Sequence, residues 1–263
     1  MFERIRNAIR FFLLSWEYSL LNFVSYRTSS LMYTIYNTFL TISTFITISV
    51  VYYVSSGIAG WSYYQLMFLA ATMNISVSLL WNILGAGNLS TQLLKGGVDP
   101  YLVKPFGIAT IFLSVYGLPS QMAGVASGLV LLLFSASHIA FTLAGVIEYL
   151  VLLAVGTLAM ILFTLMLVVL AYVLIRGSFF VNKLLGFGQG LSKYPLSIYG
   201  LAGQLILTIL FPVGLAYYYP ARAFMGGYSP LGVAAIALLG VAIAVVSYKL
   251  FYVLMRQYTS AGG

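Results

Sequence analysis

The 263-residue chain contains no cysteine. Disulfides and thiolate metal sites are therefore excluded, and redox compartment leaves no mark on the sequence. Acid is nearly as scarce: Glu3, Glu17, Asp99 and Glu148 are the carboxylates, and His138 is the sole histidine. So scattered a set suits neither a carboxylate–imidazole metal centre nor a paired-acid active site. An intramembrane protease, which needs a Ser–His pair or two aspartates, is equally poorly served. Charged residues of all kinds amount to 6%, against roughly 25% in soluble domains. With 62% hydrophobic residues and a mean hydropathy of +1.04, the chain cannot cover a water-facing surface. An integral membrane protein without an active site of its own is implied. No polar stretch is long enough for a separate soluble domain, so residues 1–263 are expected to form one transmembrane domain without a nucleotide-hydrolysing unit.

What the chain does have is apolar length. The runs are continuous rather than alternating, which favours helices over a barrel. At about 20 residues per crossing, the sequence accommodates six spans, over 28–54, 61–84, 106–134, 139–175, 196–219 and 231–255. Ahead of them, Phe2, Ile5, Ile9, Phe12, Leu13 and Trp16 share one stripe at helical spacing, with Glu3, Arg4, Arg6, Asn7 and Arg10 off it. That pattern predicts an amphipathic helix lying in the membrane interface, its arginines towards anionic lipid headgroups. Its charges are interleaved with apolar residues and no A-x-A site follows, so a cleavable signal is not expected. The net charge of +8 is a property of loops rather than a nucleic-acid footprint. With both termini cytoplasmic, the inner side receives eleven of the basic residues and the outer side Arg222 alone, a strong positive-inside asymmetry.

Polar residues inside the spans fall in order. Thr34, Asn37, Thr38, Thr41 and Thr44 cluster on one side of the first span, and Asn74, Ser78 and Asn82 recur every fourth residue on the second. Hydroxyls and amides in hydrocarbon need partners, so these faces are expected to turn towards protein or a wet cavity. They serve helix packing or line a pathway. Ser120, Gly124 and Gly128, and again Gly240 and Ala244, form small-residue series that permit close helix approach. Pro119 is expected to kink or break the third span. Glu148 lies inside the fourth; an embedded carboxylate is a functional candidate, with a structural hydrogen bond as the alternative. Residues 176–195 include Lys183, Lys193 and the run GFGQG. That run lacks the Lys-Ser/Thr of a phosphate-binding loop and follows no strand, so an interfacial linker is expected. Pro212 within the fifth span, and YYYPAR at 217–222 with Pro220, suggest an aromatic belt and a broken or re-entrant end.

The most unusual stretch is LLKGGVDPYLVKPF, residues 93–106. It collects Lys95, Gly96, Gly97, Asp99, Pro100, Tyr101, Lys104 and Pro105 within fourteen residues. A short helix over 90–94 is expected to end at the glycine pair, and Asp99-Pro100 to start a turn or a second helix. Pro105 is placed to begin the third span.

This stretch resembles the cytoplasmic-loop signature of the type-2 ABC transporter permeases, and within them the small six-span prokaryotic exporter permeases. Gly97, Asp99, Leu102 and Pro105 carry the likeness. A second segment, residues 194–226, resembles the C-terminal half of the same family through Tyr194, Pro195, Pro212 and Pro220. Arg27 at the head of the first span also fits, whereas Lys95 and Lys104 stand where arginines are commoner. The layout agrees over nearly the whole chain; the motifs cover about a fifth of it.

The resemblance implies an all-α membrane protein with a coupling segment between spans two and three and a candidate re-entrant outer segment between spans five and six. It implies a multi-pass permease subunit in a prokaryotic inner membrane, paired with an identical or sister permease and served by two separately encoded ATPase subunits. ATP and Mg2+ would sit on those partners and no cofactor on this chain. Lys95, Gly96, Gly97, Asp99, Pro100, Tyr101, Lys104 and Pro105 would form the joint with the ATPase. Asn37, Thr41, Asn74, Ser78, Glu148, Pro212 and Pro220 are the candidates for pathway or gate.

The rival is a secondary, ion-coupled transporter with Glu148 as its proton relay. It requires transport that needs no ATPase and is lost on Glu148→Gln, but inverted repeats are not evident in the sequence. A non-transporting membrane scaffold is a third class. A neighbouring reading frame encoding a Walker-type ATPase would favour the ABC reading over both.

Overall fold

The computed structural model describes residues 2–54, 58–104, 107–115, 119–175, 178–191 and 194–259. Pro105, Arg176 and Lys193 lie outside them. The described residues are helical apart from turns and one isolated bridge between Ile58 and Trp61. In chain order the helices are α1 (Phe2–Ser25), α2 (Arg27–Val54), α3 (Tyr63–Leu84), α4 (Ala86–Leu94), α5 (Asp99–Leu102), α6 (Ile108–Val115), α7 (Met122–Ala136), α8 (Leu143–Ile175), α9 (Ser178–Leu191), α10 (Leu201–Leu205), α11 (Val213–Phe224) and α12 (Pro230–Met255). Four apolar stretches are long enough to cross a membrane: α2, α3 continued by α4, α8 and α12. The pair formed by Leu201–Leu210 and Val213–Phe224 would make a fifth, bent by 110°.

Glycine places α8 at the centre. A Cβ on Gly156 would stand 1.8 Å from the Leu215 carbonyl oxygen, and one on Gly145 would stand 2.8 Å from that of Phe224. The two helices therefore run antiparallel in backbone contact, and α11 ascends only the N-terminal half of α8. On another face Gly240 of α12 admits Val155, whose Cγ1 would lie 2.7 Å from an added Cβ. The expected series on α7 behaves the same way: Gly124 sits against Ser78, and Gly128 against Ile75 of α3. These seams lower the cost of helix association where burial from water supplies no drive. Helix α3 is sunk among α7, α8 and α11, with Met67, Phe68, Leu69, Leu80 and Leu84 fully buried. Its start carries a capping box: Ser62 N–H donates to Gln65 Oε1 at 2.9 Å, and Gln65 N–H to Ser62 Oγ. By contrast, α2 buries only Ser30, Asn37 and Ile48.

One element meets its sequence-based expectation, the break at Pro119, and several others depart from theirs. The third apolar run is divided, with α6 and α7 separated by the 3-10 turn at Pro119–Gln121 and residues outside the description. The helix expected over 90–94 begins at Ala86, since Gly85, at φ 51°, turns the chain directly from α3 into α4. The expected linker around GFGQG is largely helix α9. There Leu185 and Gly188 are buried, with Gly188 beside Val213, so packing outweighs the glycine cost of about 1 kcal/mol per residue.

The fifth run is not one straight crossing. A π-helical turn over Ile206–Leu210 leads to the sharp bend at Phe211 and Pro212, and Pro212 caps α11. The break thus precedes YYYPAR, while Pro220 lies buried inside α11. A proline there has no N–H for the carbonyl one turn back, that of Ala216. Ser76 of α3 supplies the missing donor: its Oγ–H donates to the Ala216 carbonyl oxygen at 2.7 Å, and Thr157 of α8 donates to Ser76 Oγ at 3.2 Å.

Ser76→Ala is therefore expected to cost about 1–3 kcal/mol, the penalty for a buried acceptor left unpaired. Pro220→Ala restores a backbone donor and should recover much of that loss in the double variant. Thermal unfolding in detergent checks the cycle; strictly additive effects would show that the two residues do not share this carbonyl.

Candidate functional site

Two features concentrate the polar chemistry of the described residues: the joint between α4 and α6, and a cleft beside α2. The joint is built from its glycines. Helix α4 ends at Leu94, and Gly96 enters the left-handed region at φ 70°. Gly97 N–H then donates back to the Gln92 carbonyl at 2.9 Å and Lys95 N–H to that of Thr91 at 3.1 Å. The Gly97–Gln92 bond closes six residues and forms a Schellman-type stop, which needs a residue tolerant of positive φ at Gly96. Val98, fully buried, anchors the following turn. Asp99 N–H donates to Gly96 O and Tyr101 N–H to Val98 O, starting the single turn of α5. Pro100 falls in that first turn, where its missing N–H leaves no gap.

The side chains of the joint separate into two sets. Lys95, Pro100, Leu102, Val103 and Lys104 are exposed, Val103 to 87%. Lys104 Nζ lies 4.7 Å from the centroid of the Tyr101 ring, a cation–π contact. Asp99 is half-buried and turned to the C-terminal tail, where Tyr258 Oη–H donates to its Oδ1 at 2.7 Å. The Tyr258 ring lies 5.2 Å from that of Tyr172 near the end of α8, and Tyr172 Oη–H donates to the Thr259 carbonyl at 2.6 Å. The end of α8, the tail after α12 and the joint thus meet at one face of the molecule. Asp99 positions the joint, and the lysines with Leu102 and Val103 form its outer surface.

The cleft, about 480 Å3, lies between α2 and α3 and is bordered by Leu131 of α7 and Gly186 and Gly190 of α9. It unites four of the sequence candidates: Asn37, Thr41, Asn74 and Ser78. Thr41 is the hub. Its Oγ1 accepts from Asn74 Nδ2 at 2.8 Å, and its proton can go to Ser127 Oγ at 2.9 Å or to the Asn37 carbonyl at 3.1 Å. Ser78 Oγ–H donates to Asn74 Oδ1 at 3.4 Å. Asn37 Nδ2 donates to the Tyr33 carbonyl at 2.9 Å.

The remaining candidates stand apart from this group. Glu148, in the second turn of α8, is half-buried and has no hydrogen bond or ion pair among the described residues; it does not line the cleft. Pro212 caps the start of α11 and Pro220 lies inside that helix, and neither lines the cleft. His138 is an exposed turn residue, stacked on Tyr64 at 4.1 Å and bonded to the Phe134 carbonyl. Tyr258, Tyr172, Ser127 and Gln121 were not legible as site residues. Ser127 has one signal, its place between the two glycines of the α7 seam; a tyrosine in a polar tail has none.

Removing the Tyr258 hydroxyl tests the joint's tether. A hydrogen bond to a charged acceptor contributes about 1.5–3 kcal/mol, so Tyr258→Phe is expected to raise amide exchange at residues 97–104 about tenfold or more. Exchange at Leu89 and Leu93 should not change. An unchanged pattern at 97–104 would assign the joint's order to its glycine stop alone.

The family model for the ABC-2 family transporter protein matches residues 38–262, from the middle of α2 into the C-terminal tail. No curated protein matches the chain, and no solved structure matches it.

Proposed function

The chain belongs to the ABC-2 family of transporter proteins, and we propose that it is the membrane-spanning permease subunit of an ATP-driven exporter. The observation that carries this reading is the family match over residues 38–262. In this reading α2, α3–α4, α6–α7, α8, α10–α11 and α12 make six crossings, the third and fifth of them broken. Both termini are cytoplasmic, the membrane is a prokaryotic inner membrane, and α1 lies in its interface against lipid. The charge asymmetry of eleven basic residues to one supports that orientation.

Two ATPase subunits, holding ATP and Mg2+, bind below a pair of permeases, identical or sister chains. The joint over 95–104 fits a surface of the ATPase through Lys95, Leu102, Val103 and Lys104. ATP closes the motor pair, the joint follows, and the bundle exchanges an inward state for an outward one. ATP can drive this only by binding more tightly to the closed-motor state than to the open one. The permease moves substrate by this population shift and contributes no catalytic group. The Schellman stop, buried Val98 and the Asp99–Tyr258 bond support the mechanism, since they let the joint transmit a push rather than absorb it.

A tagged chain drawn from its native host in mild detergent is expected to bring down a Walker-type ATPase and a permease pair with ATPase activity. Recovery of the chain alone, without such activity, would overturn the proposal. In the assembled complex, Asp99→Lys is expected to keep ATP hydrolysis while losing transport. Normal transport by that variant would remove Asp99 from the coupling route.

A further inference from the structure

The polar cleft is one half of a larger feature. A second cavity, also about 480 Å3, runs between α2 and α7 and shares Thr41 and Leu131 with the first. Their surroundings differ sharply. The first presents amides and hydroxyls, and among the described residues no Lys, Arg, Asp or Glu lines it. The second is bounded largely by hydrocarbon, with Ile42, Phe45, Val130 and Phe134 along its walls. Thr41 is the fifteenth of the 28 residues of α2, about 20 Å from either end. The junction between the cavities is therefore near mid-membrane depth for a spanning α2.

Hydrogen-bonding capacity in the cleft remains open to a ligand. Asn37 is 8% exposed. Its Nδ2 is engaged by the Tyr33 carbonyl, but no donor reaches its Oδ1 among the described residues. Gln121 borders the same space, and its side chain makes no hydrogen bond with the described residues. An amide offers both donors and acceptors, and so does a hydroxyl. A wall of such groups complements a ligand that also does both, as alcohols and sugars do. A phosphate or carboxylate is held best by charged donors, and the described lining has none.

We propose that the two cavities form one site for an uncharged amphiphile. A hydroxyl-bearing head group lies at Asn37, Asn74 and Gln121, and a hydrocarbon chain extends between α2 and α7 along Ile42 and Val130. The site stands on geometry alone; naming its occupant as the exported substrate rests on the permease reading. The head group exchanges water for the amide wall, while the chain stays in a hydrocarbon surrounding throughout. Entry from the membrane thus requires no charge to cross hydrocarbon.

The probe is a diacylglycerol bearing one glucose and a photoactivatable acyl chain, offered to the purified full chain in lipid nanodiscs. A phosphatidylglycerol analogue with the same chain is the control. The glucosyl probe is expected to label peptides covering 38–45 and 127–134, about tenfold above the anionic control, the effect of roughly one well-placed hydrogen bond. Val130→Trp, which fills the chain groove from an exposed position, should abolish most of that labelling. Gln121→Leu should bring the two probes towards equality without reducing chain labelling. Neither residue makes a side-chain hydrogen bond among the described residues, and unchanged thermal unfolding confirms that the variants fold. Equal labelling by the two probes in the parent chain, or labelling insensitive to Val130→Trp, overturns the site. Neither result touches the permease reading, which is decided by ATPase co-purification. Labelling as expected from a chain that recovers no ATPase keeps the site and removes its description as an export substrate site.

Discussion

A backbone carbonyl within hydrocarbon must be paired, and this protein depends on how one of them is paired. Pro220 deprives the Ala216 carbonyl of its intrahelical donor, and Ser76 replaces it from another helix, itself supported by Thr157. Three helices are thereby joined at one buried point. The glycine contacts at Gly145 and Gly156 hold α11 and α8 along the same seam, and Gly240 adds α12. Such contacts do not deform gradually, because a backbone oxygen in touch with a Cα has no slack. The unit of α3, α8, α11 and α12 is accordingly a closely packed body.

Against that body α2 is attached lightly. It buries three residues and meets α3 and α7 through amides and hydroxyls centred on Thr41. Hydrogen bonds of this kind have alternative partners, and Thr41 already has two acceptors for its one proton. A polar contact between a rigid body and a lightly held helix is a natural place for a cleft that changes shape. The lever is continuous with the body: α3 leads through Gly85 into α4, and α4 into the joint. The tail after α12 binds the same joint through Tyr258, and the end of α8 holds that tail through Tyr172. The joint is therefore linked by contacts to three helices of the body: to α3 through α4, to α12 through the tail, and to α8 through the tail's bond with Tyr172.

Much of this was legible from residue type and spacing. The small-residue series on α7 and α12, the polar faces of α2 and α3, the break at Pro119 and the glycine stop before Asp99 all follow from local rules that tertiary structure upheld. Where the sequence misled, the decisive force came from elsewhere in the chain. Pro220 looks like the breaking residue when α11 is considered alone, yet Ser76, far away in sequence, removes its penalty and the bend falls at Pro212. The glycines of α9 suggest a loop until Leu185 and Gly188 find buried positions. Asp99 was legible as an important acid in the joint, but its partner Tyr258 lies in a tail without pattern. The direction its carboxylate faces is a property of the folded chain alone.

The central claim is that the outer surface of the joint is where a motor subunit sits. The absence of cysteine makes it directly measurable, since a single introduced thiol is the only one in the chain. Val103→Cys places that thiol on a side chain of the joint that is 87% exposed, and Ala140→Cys places a control in the exposed turn before α8. Treated with a short thiol-to-amine cross-linker in native membranes, the first is expected to give an adduct with an ATPase that changes on adding ATP, and the second none. An ATPase adduct from Ala140→Cys, or none from Val103→Cys in membranes where the ATPase is present, would contradict the account.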